Sequence, residues 1–298
     1  MKIKDKIIGR LIVFADNLSR IVKNVLPEKE SKIKNTRTDK FESTGIHILP
    51  GVKAELIEND KNILLVDYDN LSHKLWRAQE FTLINNNKER LSTPILDLGC
   101  GDGSFASVVF DKIDYGVDPD SFAIETAASL KVYDNFLNTL AEETGLPDNS
   151  IGSVFSNSVL EHTQQLELII KEVHRILVPK GVFMITIPNN SFTEIITSYF
   201  GKKEADRLNE TEFFHRNLWN NSKWSTVLEA AGFEIEKIQN YQPDRFNYVF
   251  RMLRSPLVKR INNLTKFWGN DTFLELISKS LDCNQGAGTF IIAKKKLN

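Results

Sequence analysis

From Pro94 onward the chain alternates between two hydrophobic rhythms. Short apolar runs, each stopped by glycine, proline or polar residues, occur at ILDL (95–98), DYGVD (114–118), VYDNFL (132–137), IGSVFSNS (151–158), VFMITIP (182–188), FEIEKIQNY (233–241) and GTFIIAKKK (288–296). Each has the length of a strand, and the continuous runs suit strands covered on both faces. Between them, apolar residues recur every three or four positions: from about Ser104, in PDSFAIETAASL (119–130), in HTQQLELIIKEVHRIL (162–177) and in WSTVLEAAGF (224–233). That spacing places the apolar side chains on one helix face. Strands alternating with helices predict an α/β protein with a doubly wound, mostly parallel sheet of seven strands. The last two strands lack a short crossover, so 242–287 reads as a helical insertion before the final strand.

Upstream the rhythm changes. Ile3, Ile7, Leu11, Phe14, Leu18, Val22 and Val25 predict a helix over 3–26, ended by Pro27. Residues 28–45 are polar and read as a linker. Residues 46–66 read as short strands or turns around Pro50-Gly51, and 69–86 as a helix with Leu71, Leu75, Trp76, Ala78, Phe81 and Leu83 among its apolar positions. The expected organisation is an amphipathic helix and linker over 1–45, then one α/β domain over 46–298.

The glycine-rich stretch ILDLGCGDG leaves the first of these strands and enters a helix. In open α/β sheets such a turn is a ligand site, because glycine lets the backbone approach the ligand closely. A dinucleotide turn spaces its glycines G-x-G-x-x-G. Here Gly99, Gly101 and Gly103 alternate, so the third comes one position early. Asp97 and Asp102 would also set negative charge beside a pyrophosphate, which Coulomb repulsion disfavours. The same carboxylates suit a cationic ligand such as S-adenosylmethionine.

The turn, an acid closing the second strand at Asp118, and the run LPDNSIGSVFSNSVLEHTQQ…EVHRILVPKGVFMITIPN (146–189) together resemble the class I S-adenosylmethionine-dependent methyltransferases. The resemblance covers about 70–241, resumes at 288, and lies nearest the type 11-like branch acting on small molecules and lipids. It implies a Rossmann-like methyltransferase fold. It also implies that Asp97, Leu98, Gly99, Cys100 and Gly101 face the methionine end of S-adenosylmethionine. Asp118 would take the ribose diol, Pro119 would flank the adenine, and Leu140, Ala141 and Glu142 would meet the adenine edge. Ser156 and Asn157 would lie beside the transferred methyl. The family often has an aspartate where Leu140 stands, with Glu142 or Asn138 as substitutes here. Cys100 reads as a small residue of the turn rather than a nucleophile, and Asp102 as a helix-start residue.

Methyl transfer from a sulfonium is chiefly a matter of positioning, but a hydroxyl acceptor benefits from a base near neutral pKa. His162, just after the fourth strand, and His215, in ETEFFHRNLWN (210–220), are the candidates. His174 reads as structural. Relatives that O-methylate quinone precursors carry E-x-x-E-H at the His162 position with a divalent metal. Ser158 replaces the first acid here, so no metal site is expected. The NPPY-type tetrapeptide of amino-methylating enzymes is absent, and oxygen is the expected acceptor atom.

Composition adds little except in its distribution. The net charge is −1, which excludes a polyelectrolyte binder. Residues 1–40, however, hold eleven basic and five acidic residues for +6, and 241–270 hold six and one for +5, leaving −12 elsewhere. Basic amphipathic segments suit a lid or contact with an anionic membrane. Two cysteines and no long apolar span predict a cytoplasmic protein, peripheral at the inner membrane face if those segments adsorb. No nucleic-acid module is evident. The competing reading is a non-catalytic relative of the fold acting at a membrane surface or in a complex.

Overall fold

The structure, a computed structural model, describes residues 54–57, 63–66, 71–243 and 277–297. The predicted helix 3–26, its linker, and the basic stretch 246–268 of the insertion lie outside the described residues. A separate antiparallel pair, β1 (Ala54–Ile57) and β2 (Ile63–Val66), occupies the ambiguous region. Helix α1 (Leu71–Asn85) follows, within the span its apolar spacing predicts.

The main sheet has β3 (Ile95–Leu98), β4 (Ile113–Val117), β5 (Tyr133–Leu137), β6 (Ile151–Asn157), β7 (Leu177–Pro188), β8 (Phe233–Tyr241) and β9 (Gly288–Lys295). Their order is β5-β4-β3-β6-β7-β9-β8, with β9 antiparallel to both neighbours and the other pairings parallel. The chain runs outward from β3 through β4 to β5, then returns to β6 on the other side of β3. That reversal opens a crevice at the carboxyl ends of β3 and β6.

Period-two alternation divides the core into two layers. Phe155, Met184, Phe290 and Ile292 face one side, with Phe81 and Ile84 of α1 and Val108 and Val109 of α2 (Ser104–Val109). Val154, Phe183, Ile185 and Ile291 face the other. There they meet Ile169, Ile170 and Val173 of α4 (Leu166–Ile176) and Trp224 and Leu228 of α7 (Asn221–Ala230). Helix α3 (Ser121–Ser129) is capped by Asp120, whose carboxylate accepts from the Phe122 and Ala123 N–H groups.

Two elements differ from expectation. The turn read at Pro179-Lys180-Gly181 is an irregularity inside a longer β7, since Ile151 pairs with Leu177 and Ser153 with Val182. Lys180 takes φ 66° there. The helix read from His162 begins only at Leu166, and Leu160–His162 form a separate 3-10 turn. The sequence reading assigned no element to 190–209. The structure places α5 (Asn190–Phe200) and α6 (Lys202–Leu208) there, followed by a π-helical turn, Asn209–Phe213.

The start of β6 is clipped to the chain entering β3. The Gly152 N–H donates to the Pro94 carbonyl, and the Ser92 N–H to Ser153 Oγ. A Cβ on Gly152 would lie 2.5 Å from the carbonyl oxygens of both Ser92 and Thr93. Those are backbone atoms and cannot rotate aside. Gly152→Ala is therefore expected to lower unfolding free energy by about 1–3 kcal/mol, read as a reduced urea midpoint at unchanged slope.

Candidate active site

The turn from β3 into α2 is held by three contacts. The Gly99 and Cys100 N–H groups donate to the Val117 carbonyl, and the Gly101 N–H donates to Asp118 Oδ2 at 2.9 Å. Gly99 has φ 81°, and a Cβ there would fall 2.4 Å from Val159 Cγ1. At Gly101, φ is 51° and nothing lies within 4 Å of a built Cβ. Gly99 is thus required for packing, whereas Gly101 borders open space. Asp102 accepts from the Ser104 N–H and hydroxyl, as its helix-start reading predicts.

Asp97 is buried, and its Oδ2 accepts from the Tyr133 hydroxyl at 2.6 Å. Burial pushes its carboxyl up to about 7, with the Tyr133 hydrogen bond opposing and Asp118 adding to the rise. A cation bound beside it would restore the charged form. Burial, with Asp97 and Asp118 nearby, drives the Cys100 thiol well above its ordinary range, so it is no nucleophile.

Of the other predicted cofactor residues, Leu98, Asp118 and Ser156 adjoin this turn, whereas Leu140, Ala141 and Glu142 lie at a separate cleft. Leu98 is buried in β3. Asp118 Oδ1 accepts from the Asp120 N–H, and Asn138 Nδ2 donates to the Asp118 carbonyl. Pro119 is exposed beside them. Leu140 and Glu142 line a cleft of about 400 Å³ against Gln165 and Leu168, with Ala141 half-buried between them. Ser156 is fully buried and donates to the Leu98 carbonyl, so it braces the turn from below. Asn157 Oδ1 accepts from Thr186 Oγ1.

The region after β6 is built from segments distant in sequence. The Arg216 and Asn217 N–H groups donate to the Glu161 carbonyl, and Asn217 Nδ2 donates to the Leu160 and Thr163 carbonyls. Asn209 grips the backbone of His215 from both sides. These bonds clip 215–217 onto the 3-10 turn and bring the His162 and His215 rings to 5.4 Å. Phe213 stacks on His215 at 5.5 Å and Phe192 meets it edge-on at 5.1 Å. His174 lies elsewhere, packed edge-on against Phe233 at 5.3 Å.

Sequence reading missed two buried carboxylates of this region, Glu161 and Glu80. Glu161 is 2% exposed, and its Oε2 has no partner among the described residues. Burial, reinforced by Glu80, pushes its carboxyl up to about 8. Glu80 accepts at Oε1 from Trp76, Ser158 and Tyr241, and at Oε2 from Arg77. One signal for Glu80 was available: an acid on the apolar stripe of α1, in line with Trp76 and Leu83.

Burial lowers the His162 pKa, with a Phe214 backbone hydrogen bond opposing. Burial and then the His162 charge lower His215 to about 3. Both imidazoles are therefore neutral near pH 7. Glu161, His162 and His215 each offer one atom, all within 4.8 Å of one another. One carboxylate and two imidazoles can share a proton or hold a borderline divalent cation. The expectation of no metal rested on Ser158 in the local motif, which could not show a third donor arriving from His215.

A glycine-rich turn at the switch point, beside a polar cluster after the neighbouring strand, is the place where open α/β sheets bind ligands. The methyltransferase domain family matches residues 96–185. A probable S-adenosylmethionine-dependent methyltransferase of Mycolicibacterium smegmatis is 30% identical over 144 residues, covering 48% of this chain and 52% of that protein. Sterol 24-C-methyltransferase of Aspergillus fumigatus is 25% identical over 191 residues, 58% and 48% of the two chains. The chain spans about half the length of these curated relatives. An S-adenosylmethionine-dependent methyltransferase from Thermotoga maritima superposes with a TM-score of 0.51 at 18% identity, covering 76% of this chain and 92% of that one, which shows the fold alone. Residues 96–185 thus match a methyltransferase domain, and S-adenosylmethionine is the cofactor that this match and the similar proteins imply.

Glu161 makes a pH-dependent prediction. Its folded pKa of about 8 stands above the ordinary glutamate value of 4.5. Between those values the folded state binds one proton more than the unfolded state, so stability falls as pH rises. Glu161→Gln removes this loss. Its stability relative to the parent should climb between pH 5 and pH 8 and level off above, measured by urea unfolding across that range.

Proposed function

We propose that the protein transfers a methyl group from S-adenosylmethionine to an oxygen of a small metabolite or of a saccharide or lipid intermediate. The observation that carries this reading is the convergence of Glu161, His162 and His215 beside the cofactor turn. When bound, the cofactor supplies an electrophilic methyl on a sulfonium. Asp97 and the Gly99–Gly101 backbone would hold its amino-acid end, and Asp118 its ribose.

Neutral His162 takes the proton that an acceptor hydroxyl loses as its oxygen attacks. It is the better base of the pair, because His215 is the more strongly depressed and hence the weaker. His162 is also exposed and can pass the proton to solvent. His215, with Phe192 and Phe213, forms an aromatic wall that shields the reaction from water. Phe213 and Phe192 are themselves 5.0 Å apart, and Phe192 meets Trp76 at 5.6 Å. The wall suits an acceptor with an apolar or aromatic portion.

Methyl-labelled S-adenosylmethionine, incubated with metabolite and lipid fractions, tests the reaction. An O-methyl carbon resonance in the labelled product is the expected result. A C-methyl resonance would instead align the chain with its sterol-methylating relative. On the acceptor so found, His162→Ala should cut kcat by about 10²–10⁴-fold and His215→Ala by less, with cofactor affinity nearly unchanged in both. Asp118→Ala should do the reverse, weakening cofactor binding at least ~10-fold.

No described helix is long and apolar enough to cross a membrane. The basic charge of residues 1–40 supports peripheral contact with anionic lipid as a second element of the proposal. Co-sedimentation with anionic vesicles at low salt should then be lost on deleting 1–40. Equal recovery of both forms in the supernatant removes the idea.

A further inference from the structure

We propose that Tyr133 is a positioning residue for the methyl donor: it reaches across β4 to hold one oxygen of Asp97, fixing the orientation and charge of the carboxylate offered to the cofactor's cationic end. The inference rests on the cofactor reading above and concerns a residue that no motif marks.

Tyr133 opens β5, while Asp97 lies in β3, with β4 between them. Neighbouring strands are about 4.8 Å apart, so the side chain must span roughly two spacings. Nothing on β4 can stand in its path. The residue paired with Asp97 in β4 is Gly116. A Cβ on Gly116 would lie 3.0 and 3.1 Å from two Tyr133 ring carbons, and one on Gly103 would lie 3.1 Å from a third. The ring is therefore seated against two glycines. Gly103, the glycine that comes early for a dinucleotide turn, makes room for this ring together with Ala127 and Leu130.

The hydroxyl ends 2.6 Å from Asp97 Oδ2. Among the described residues no hydrogen bond reaches Oδ1, which leaves that oxygen for an ammonium. The other titratable groups acting on Asp97 and Tyr133 are Asp118 at the end of β4 and Cys100 and Asp102 in the turn. None of them donates to Asp97, and two are acids. Tyr133 is the hydrogen-bond donor that favours the carboxylate over the neutral acid. Losing its hydroxyl while keeping its ring would leave packing intact and let Asp97 take up a proton.

The test is calorimetric titration of S-adenosylmethionine into the full chain between pH 6 and pH 9, for the parent and Tyr133→Phe. Parent affinity should fall as pH drops below about 7, by up to about tenfold per unit. In Tyr133→Phe the midpoint should move up by about one unit, the equivalent of one hydrogen bond to a charged group. Affinity would then be several-fold weaker at pH 7 and near parental at pH 9. Carbon NMR of aspartate-labelled, cofactor-free protein, with Asp97 assigned through Asp97→Asn, should show the same upward move of its titration. An affinity loss equal at every pH, or an unmoved Asp97 titration alongside normal binding, overturns the proposal by itself. A parent that binds no S-adenosylmethionine at any pH overturns the methyl-donor reading first and the cofactor role of Tyr133 with it.

Discussion

Gly99 packs so tightly against Val159 that no side chain fits between them. That contact joins the two halves of the site. Gly99 belongs to the glycine-rich turn after β3. Val159 belongs to the segment after β6, which leads into Glu161 and His162. Because β3 and β6 are neighbours at the point where strand order reverses, their carboxyl ends open into one crevice. Ser156 adds a second tie by donating to the Leu98 carbonyl. A displacement of the turn would therefore move the acceptor cluster with it. This is the arrangement that an in-line transfer between two bound molecules demands, since small errors of position cost large factors in rate.

Around the crevice the protein buries polar groups and satisfies them unevenly. Glu80 receives donors from Trp76, Arg77, Ser158 and Tyr241, drawn from α1, the β6 exit and the end of β8. That carboxylate ties three elements together. Glu161, close by, lacks such support, and burial raises its pKa. Two carboxyls in one low-dielectric region thus take opposite roles according to their donors, one structural and one ready to exchange a proton. Asp97 lies between these cases, with one donor and a pKa near neutrality. Partial desolvation lowers both histidines, the less exposed His215 further, so the cluster can accept a proton without carrying positive charge.

Much of this was legible in one dimension. Local patterning gave the seven strands and five of the helices around them, because the burial of a strand or a helix face leaves its period in the chain. The glycine turn and Asp118 were legible because backbone conformation and ligand charge restrict residue choice locally. His162 was named from its place just after the fourth strand, and His215 from a segment that resembles the family's before the sixth. The helices over 190–208 were not assigned, and the irregularity in β7 was taken for a turn, since a proline and a glycine read alike in both settings.

The sequence alone therefore determined the fold class, the cofactor turn and two candidate bases, all of them properties of short segments. Tertiary structure decided which distant groups meet. It set Tyr133 on Asp97 across a strand, drew Glu80 to Ser158, and clipped His215 onto the turn that carries Glu161 and His162. Only there did the altered pKa values arise, because desolvation and neighbouring charge depend on distance in space, and a motif records distance along the chain.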